Sequence, residues 1–325
     1  MAKLTDIAGI EIGHAQDFAA ATGCTVILCR EGAVAGVDVR GGAPGTRETD
    51  LLKPENHVDR VQAVLLAGGS AFGLDAAAGV MQYLEEQGAG FDVGVTKVPI
   101  VAGAVLFDLA CGDYRIRPDK AMGYAACLAA GPVAAEGSVG AGTGATVGKV
   151  YGIQQAMKGG IGTCCLTAGP LLVGAIVAVN CLGDVVNPAD GTILAGAFEE
   201  TPFRFLNCEQ GMIDQYGQQA SLFAGNTTIG TVVTNAALTK SEANKVASMA
   251  HNGYARTIRP AHTLFDGDTI FTLATGRVAA NVNAVGILAA QAVEQAVIRA
   301  VSQAAPLAGF KCCRDLPPIA SVNHL

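Results

Sequence analysis

Residues 225–234 read Gly-Asn-Thr-Thr-Ile-Gly-Thr-Val-Val-Thr. The Gly225-Asn226 break sets a turn, and the β-branched run behind it favours extended chain. A hydroxyl at the head of such a strand can attack the carbonyl of the residue before it. The amide becomes an ester, and water then opens the ester. A cut at Asn226–Thr227 would leave Thr227 as a new N-terminus, its Oγ a nucleophile and its free amine a nearby base. This chemistry needs a strained turn before the threonine and a rigid strand after it. The same pattern describes an ordinary loop entering a strand, with Leu222 and Phe223 as its apolar lead-in, and these residues alone leave both readings open.

A second constellation is Asp266-Gly267-Asp268, inside "HTLFDGDTIFTLATG" (262–276), which reads as two β-like runs around a turn. Two carboxylates flanking a glycine can hold a threonine hydroxyl and its ammonium in one geometry, or can simply make a hairpin turn. A third is Asn180, the one amide in the apolar run "LLVGAIVAVNCLGDVV" (171–186). A buried amide needs hydrogen-bond partners, structural or catalytic.

Other chemistries fail at specific positions. "GTGATVGKV" lacks the first glycine of a phosphate loop, because Thr143 stands there, and Val150 replaces the magnesium-binding hydroxyl. "GAGTGA" has no acidic residue about 20 positions on to hold a ribose. "GGSAFG" (68–73) breaks the nucleophile-elbow pattern at Phe72, so Ser70 reads as a helix N-cap. The histidines at 14, 57, 251, 262 and 324 have no metal-binding spacing; His262 reads as structural, beside the Asp266 turn. No cofactor is expected.

The elements that must position these residues follow from composition and periodicity. The chain has 325 residues, 50% apolar and only 15% charged, with 42 glycines and no tryptophan. That composition excludes disorder and suits closely packed layers. A formal charge of −7 without a Lys/Arg cluster argues against nucleic acid. No signal peptide or membrane span is recognised, and the ten cysteines read as buried thiols, so a cytoplasmic setting is expected. Residues 22–30 and 33–40 read as two short strands joined at Arg30-Glu31-Gly32, 61–69 as a buried strand, and 70–88 as a helix. Thr239 and Glu242 form a capping box for a helix through Tyr254, and 281–304 reads as a buried helix. One layered α/β domain spans 1–325.

The segments "TGCTVIL", "GAVAGVDVRGGAPGTRETDLL", "VLLAGGSAFGLDAAAGV", "GNTTIGTVVTNAALTK" and "AHTLFDGDTIFTLATG" together resemble the L-aminopeptidase/D-esterase family, which includes β-aminopeptidases and the nylon-oligomer endohydrolase. The likeness runs from about Ile10 to Ile298. It implies a four-layer αββα sandwich similar to the N-terminal-nucleophile hydrolases, and a precursor that cuts itself into chains 1–226 and 227–325. Those chains stay together, usually in homotetramers or larger assemblies. Carried over by position, Thr227 is the nucleophile and Asn226–Thr227 the bond cut; Asp266 and Asp268 are the orienting pair. Lys149 is the active-site lysine, Asn180 the oxyanion-stabilising amide, and Tyr124 in "MGYAAC" a further site residue. The implied activity is hydrolysis of small amides: peptide N-termini, amino-acid amides or esters, or linear amide oligomers. Two alternatives stand beside it, an acyltransferase of the ornithine acetyltransferase type and a non-enzymatic small-molecule binding protein on the same fold.

Overall fold

Val173, Ala175, Val177 and Val179 project from one face of the strand Leu171–Asn180, Ile176 and Ala178 from the other, and both faces are buried. A strand apolar on both sides belongs to an inner layer. The computed structural model, which describes residues 2–217 and 225–316, places it there. Eight strands carry the architecture: β1 (Glu11–Asp17), β2 (Thr22–Val39), β3 (Arg60–Ala67), β4 (Val101–Val105), β5 (Gly160–Ala168), β6 (Leu171–Asn180), β7 (Thr227–Ala236) and β8 (Thr269–Val278). The main helices are α1 (Ala76–Glu86), α2 (Lys120–Leu128), α3 (Lys240–Thr257) and α4 (Val282–Ser302).

The strands run in the order β5-β6-β7-β8-β2-β3-β4, with β1 also on β2 and a short edge piece, Thr46–Arg47, beside β4. Three apolar layers show how this path folds over. α3 and α4 pack on one face of β5 to β8 through residues such as Val232, Tyr254, Ile270 and Val293. α1 and α2 pack on β2, β3 and β4 through Val26, Leu65, Val80 and Leu84. Between them, Ile229, Val233 and Phe271 from one half of the sheet meet Ile27, Val64 and Ala104 from the other. The result is the four-layer αββα sandwich that the resemblance implies.

One strand makes the corner. Residues 22–39 form a single long strand, not two, whose first part pairs with β1 and β3 and whose last part pairs with β8. The expected turn at Arg30-Glu31-Gly32 survives as a register shift between Leu28 and Ala33, with Gly32 at φ 80°. A glycine there lets the ladder bend without breaking.

Local signals fared unevenly. The Thr239/Glu242 capping box is formed at the start of α3, and Asn281 caps α4 by accepting from the Asn283 N–H. α4 is apolar enough to suit a bilayer by composition, but ten of its residues are buried against the sheet and α3. Ser70 makes no cap hydrogen bond; it opens a 3₁₀ turn at φ 55° after Gly69, and α1 begins only at Ala76. The run 262–265 is loop rather than strand, and β8 starts at Thr269.

α3 lies close on β2 because Gly36 has no side chain. A Cβ on Gly36 would stand 2.2 Å from the Asn244 nitrogen and 2.3 Å from the Ala243 carbonyl carbon, both backbone atoms that cannot swing aside. Gly36→Ala must therefore lift the helix off the sheet, a fault on the scale of about 1–3 kcal/mol of overpacking. The expected outcome is a lower thermal midpoint and a lower soluble yield, read by differential scanning fluorimetry. An unchanged midpoint would mean that the two layers are not held this tightly.

Candidate active site

β7 begins at Thr227, and its antiparallel register on β6 sets Thr227 directly opposite Asn180. On its other side β7 runs parallel to β8, so the Asp266–Asp268 turn that leads into β8 falls beside the head of β7. Asn226 and Asp266 pair through an isolated bridge across this gap. The spacing of strands in the sheet thus gathers residues 180, 226, 227, 266 and 268 at one end of the sandwich.

The Asn226–Thr227 peptide is buried, with Asn226 1% and Thr227 5% exposed. The Thr227 hydroxyl donates to the Asn226 carbonyl oxygen, and the Gly267 N–H donates to the same oxygen at 2.8 Å. Only glycine fits at 267: a Cβ there would lie 2.7 Å from Thr227 Oγ1 and 2.9 Å from the Ala43 carbonyl oxygen. Sequence reasoning saw in Gly267 a turn residue. Its backbone donor role carries no side-chain signal.

The two carboxylates divide their work differently from the expectation. Asp268 Oδ1 accepts the Thr228 N–H at 2.7 Å, and its Oδ2 accepts the backbone N–H of His262 at 3.0 Å and lies 2.8 Å from His262 Nδ1. Asp266 Oδ2 accepts from the Thr263 N–H at 2.9 Å and the Thr263 hydroxyl at 2.6 Å. Its Oδ1 is buried and finds no partner among the described residues. Neither carboxylate accepts the Thr227 hydroxyl. Asp268 instead fixes Thr228, the residue after Thr227, and His262 sits against the Asp266–Asp268 turn by pairing with Asp268. The loop 40–43 straps this turn down: the N–H groups of Arg40 and Ala43 donate to the carbonyls of Asp268 and Asp266 at 2.9 and 2.8 Å.

Lys149 is 3% exposed and its ammonium donates to Asn180 O at 2.9 Å and Asn180 Oδ1 at 3.0 Å. Both of its hydrogen bonds go to Asn180 and none goes to Thr227. Thr146 adds a backbone N–H to Asn180 Oδ1 at 2.9 Å. With its oxygen held twice, the Asn180 amide turns its nitrogen to the carbonyls of Phe107 at 3.0 Å and Gly225 at 3.4 Å. It thus grips the chain one residue ahead of the Asn226 carbonyl, and Gly267 is the backbone donor on that carbonyl itself. Lys158, which the sequence did not single out, is also buried; it donates to the carbonyls of Thr143 and Ala145, both at 2.7 Å, and braces the glycine-rich loop that presents Thr146 and Lys149.

Tyr124 is elsewhere. It lies in α2, on the outer layer, where its hydroxyl donates to Glu86 at 2.6 Å and its ring packs edge-on to Tyr83. Tyr83 in turn accepts from Arg30, at the bend of β2, far along the strand from the Val39–Thr269 pairing that borders the site. The structure does not bring Tyr124 to Thr227; an aromatic ring that does border the site chain is that of Phe107, just past β4 and against Gly225. Among the described residues no cluster of His, Cys, Asp and Glu could hold a metal ion, and His324, Leu222 and Phe223 lie outside those residues.

Burial decides the charges. It pushes Lys149 down to about 8, against the pull of Cys181, Asp266 and Cys111, and it pushes Lys158 down to about 8 as well. Burial also raises the Asp266 carboxyl to about 6, helped by the like charge of Asp268 and opposed by the Thr263 hydrogen bonds and Lys149.

A family model described as peptidase family S58 matches residues 2–314. An uncharacterised aminopeptidase of Mycobacterium tuberculosis (strain ATCC 25618 / H37Rv) is 45% identical over 98% of either chain. The 6-aminohexanoate-oligomer endohydrolase of Paenarthrobacter ureafaciens is 33% identical, over 91% of this chain and 84% of its own. Among solved structures, the L-aminopeptidase D-Ala-esterase/amidase of Ochrobactrum anthropi, described as a variant of the Ntn hydrolase fold, superposes with a TM-score of 0.70 at 18% identity. That match covers 93% of this chain and 86% of the other. A Burkholderia sp. β-aminopeptidase gives 0.67 at 21% identity, covering 94% and 88%.

The buried lysines make a pH prediction. An unfolded lysine titrates near 10.4, so between about pH 8 and 10 the unfolded chain holds a proton that folded Lys149 has lost. More protons on the unfolded side mean that stability rises with pH across this window. Lys158 contributes in the same direction. Lys149→Met should therefore remove about half of that lysine-linked rise, seen by comparing denaturation midpoints of variant and parent at pH 7.5 and pH 10. Parallel pH curves for the two proteins would contradict the burial of a charged Lys149.

Proposed function

The chain belongs to peptidase family S58, and on that premise we propose that it is a self-processing amide hydrolase with Thr227 as its nucleophile. The observation that carries this reading is the geometry at one carbonyl. The Thr227 hydroxyl and the Gly267 N–H both meet the Asn226 oxygen, in a water-poor setting where such donors count most. In the first step Thr227 Oγ attacks the Asn226 carbonyl carbon while Gly267 N–H takes the developing oxyanion. The bond to the Thr227 nitrogen breaks, and the hydroxyl proton passes to that nitrogen, leaving an ester. Water opens the ester to give the Asn226 carboxylate and restores the Thr227 hydroxyl beside a free amine.

In turnover the same oxygen attacks a substrate amide, the amine half leaves with a proton, and water releases the acyl half. Asp268 holds the head of β7 through Thr228, Lys149 and Thr146 hold the Asn180 amide, and Asp266 offers its unpartnered oxygen to the new N-terminus. The two chains stay together because β7 of the small chain lies between β6 of the large chain and β8, and β8 pairs with β2 of the large chain. Assembly into homo-oligomers and work in the cytoplasm belong to the same proposal. So do substrates of the kinds named for the relatives, peptide N-termini and linear amide oligomers.

Thr227→Ala removes the attacking oxygen. It should leave a single uncut chain with no amidase activity, read on a denaturing gel and with amino-acid p-nitroanilides; splitting at the same bond in that variant would sink the proposal. Asp268→Asn offers one acceptor oxygen where three N–H groups converge and sets an NH₂ against one of them. The variant should fold yet process and turn over about a hundredfold more slowly or worse, on the scale seen when an orienting carboxylate is lost. Parental rates in Asp268→Asn would make the turn merely structural.

A further inference from the structure

Gly225 lies one residue ahead of the carbonyl that Thr227 faces, and it runs against the ring of Phe107. A Cβ on Gly225 would stand 2.3 Å from Phe107 Cγ, 2.4 Å from Cβ and 2.6 Å from Cδ2. These are the root of the side chain, not its far end, so the ring cannot turn out of the way. Phe107 is also fixed at its backbone, where its carbonyl accepts from Asn180 Nδ2 at 3.0 Å. The same amide nitrogen holds the Gly225 carbonyl at 3.4 Å. One side chain therefore pins both the wall and the chain passing it.

We propose that Phe107 is a specificity-determining residue: acyl-side chain entering the site must be unbranched where it passes this ring, a glycine or a polymethylene segment. The inference rests on the reading of Thr227 as nucleophile. Self-cleavage and turnover then share one attacking oxygen and one carbonyl position, so the atoms ahead of that carbonyl share one path. A substrate whose acyl residue carries a free amine ends before the wall and is not sorted by it. A substrate that continues further is sorted: a glycyl or ω-amino-acid unit passes, and an alanyl or larger L-residue meets the ring. The nitrogen of the acyl residue adds to the picture. Asn226 N–H points to the Phe265 carbonyl at 3.4 Å, a neutral acceptor that takes an amide as well as an amine. The site is thereby suited to internal amides of linear, unbranched chains as well as to short N-terminal units.

The test uses the full chain as its own substrate. Freshly synthesised parent, Gly225→Ala, Phe107→Ala and the double variant are followed by intact mass over time. Gly225→Ala should slow self-cleavage by about tenfold or more, the effect of forcing a methyl into a packed contact. In the double variant, Phe107→Ala should restore the rate to within a few-fold of Phe107→Ala alone. In matured protein, Gly-Asn-p-nitroanilide should be cleaved in preference to Ala-Asn-p-nitroanilide, and Phe107→Ala should erase the preference. A Gly225→Ala chain that cuts as fast as the parent overturns the inference, and so does a slow variant that Phe107→Ala fails to rescue. A parent chain that never cuts overturns the reading of Thr227 and this inference with it, an outcome plainly distinct from the other two.

Discussion

The Asn226 carbonyl is the point on which the rest of the structure converges. It accepts from the Thr227 hydroxyl on one side and from the Gly267 N–H on the other, the first carried by the opening residue of β7 and the second by the turn that leads into β8. Neither donor can drift. Thr227 is locked by its register against Asn180, and Gly267 is locked by the loop 40–43 laid across its turn. The αββα sandwich supplies this rigidity. A strand buried on both faces, packed between helices on one side and a second sheet on the other, cannot shift its first residue without disturbing three apolar layers.

Such a site is expensive in desolvation. Lys149, Lys158, Asp266 and Asp268 are all nearly or fully buried, and none of the lysines is in contact with a carboxylate among the described residues. Backbone carbonyls and one amide stand in for the missing counter-charges. The consequence is that burial lowers both lysines to about 8 and raises the Asp266 carboxyl to about 6, which is how low polarity around the Asn226 carbonyl registers. Preorganisation of this kind stabilises a transition state at some expense to the folded state.

Much of this was legible in the sequence, because alternating apolar runs and cap residues are local signals. The strand at 227, the apolar run around Asn180 and the Thr239–Glu242 cap could be read directly. The single strand through residues 22–39 could not, since Arg30-Glu31-Gly32 carries turn chemistry and only the pairing with β1, β3 and β8 on both sides of it shows a bend. Tyr124 was placed by likeness alone, and its packing on Tyr83 removes it. Gly267 and His262 could be read only as turn and structural residues, and Phe107 not at all, for different reasons. The first works through a backbone N–H, the second through a left-handed backbone at φ 59° that turns its ring to Asp268, and the third through contact with a glycine 118 positions away.

The central claim is that this chain cuts itself between Asn226 and Thr227 and uses the residue so exposed. Intact mass of the purified parent protein, with N-terminal sequencing of the smaller species, tests it most directly. The account predicts two polypeptides held in one particle, the smaller beginning Thr-Thr-Ile-Gly. A single uncut chain of 325 residues that nonetheless hydrolyses amides would contradict it.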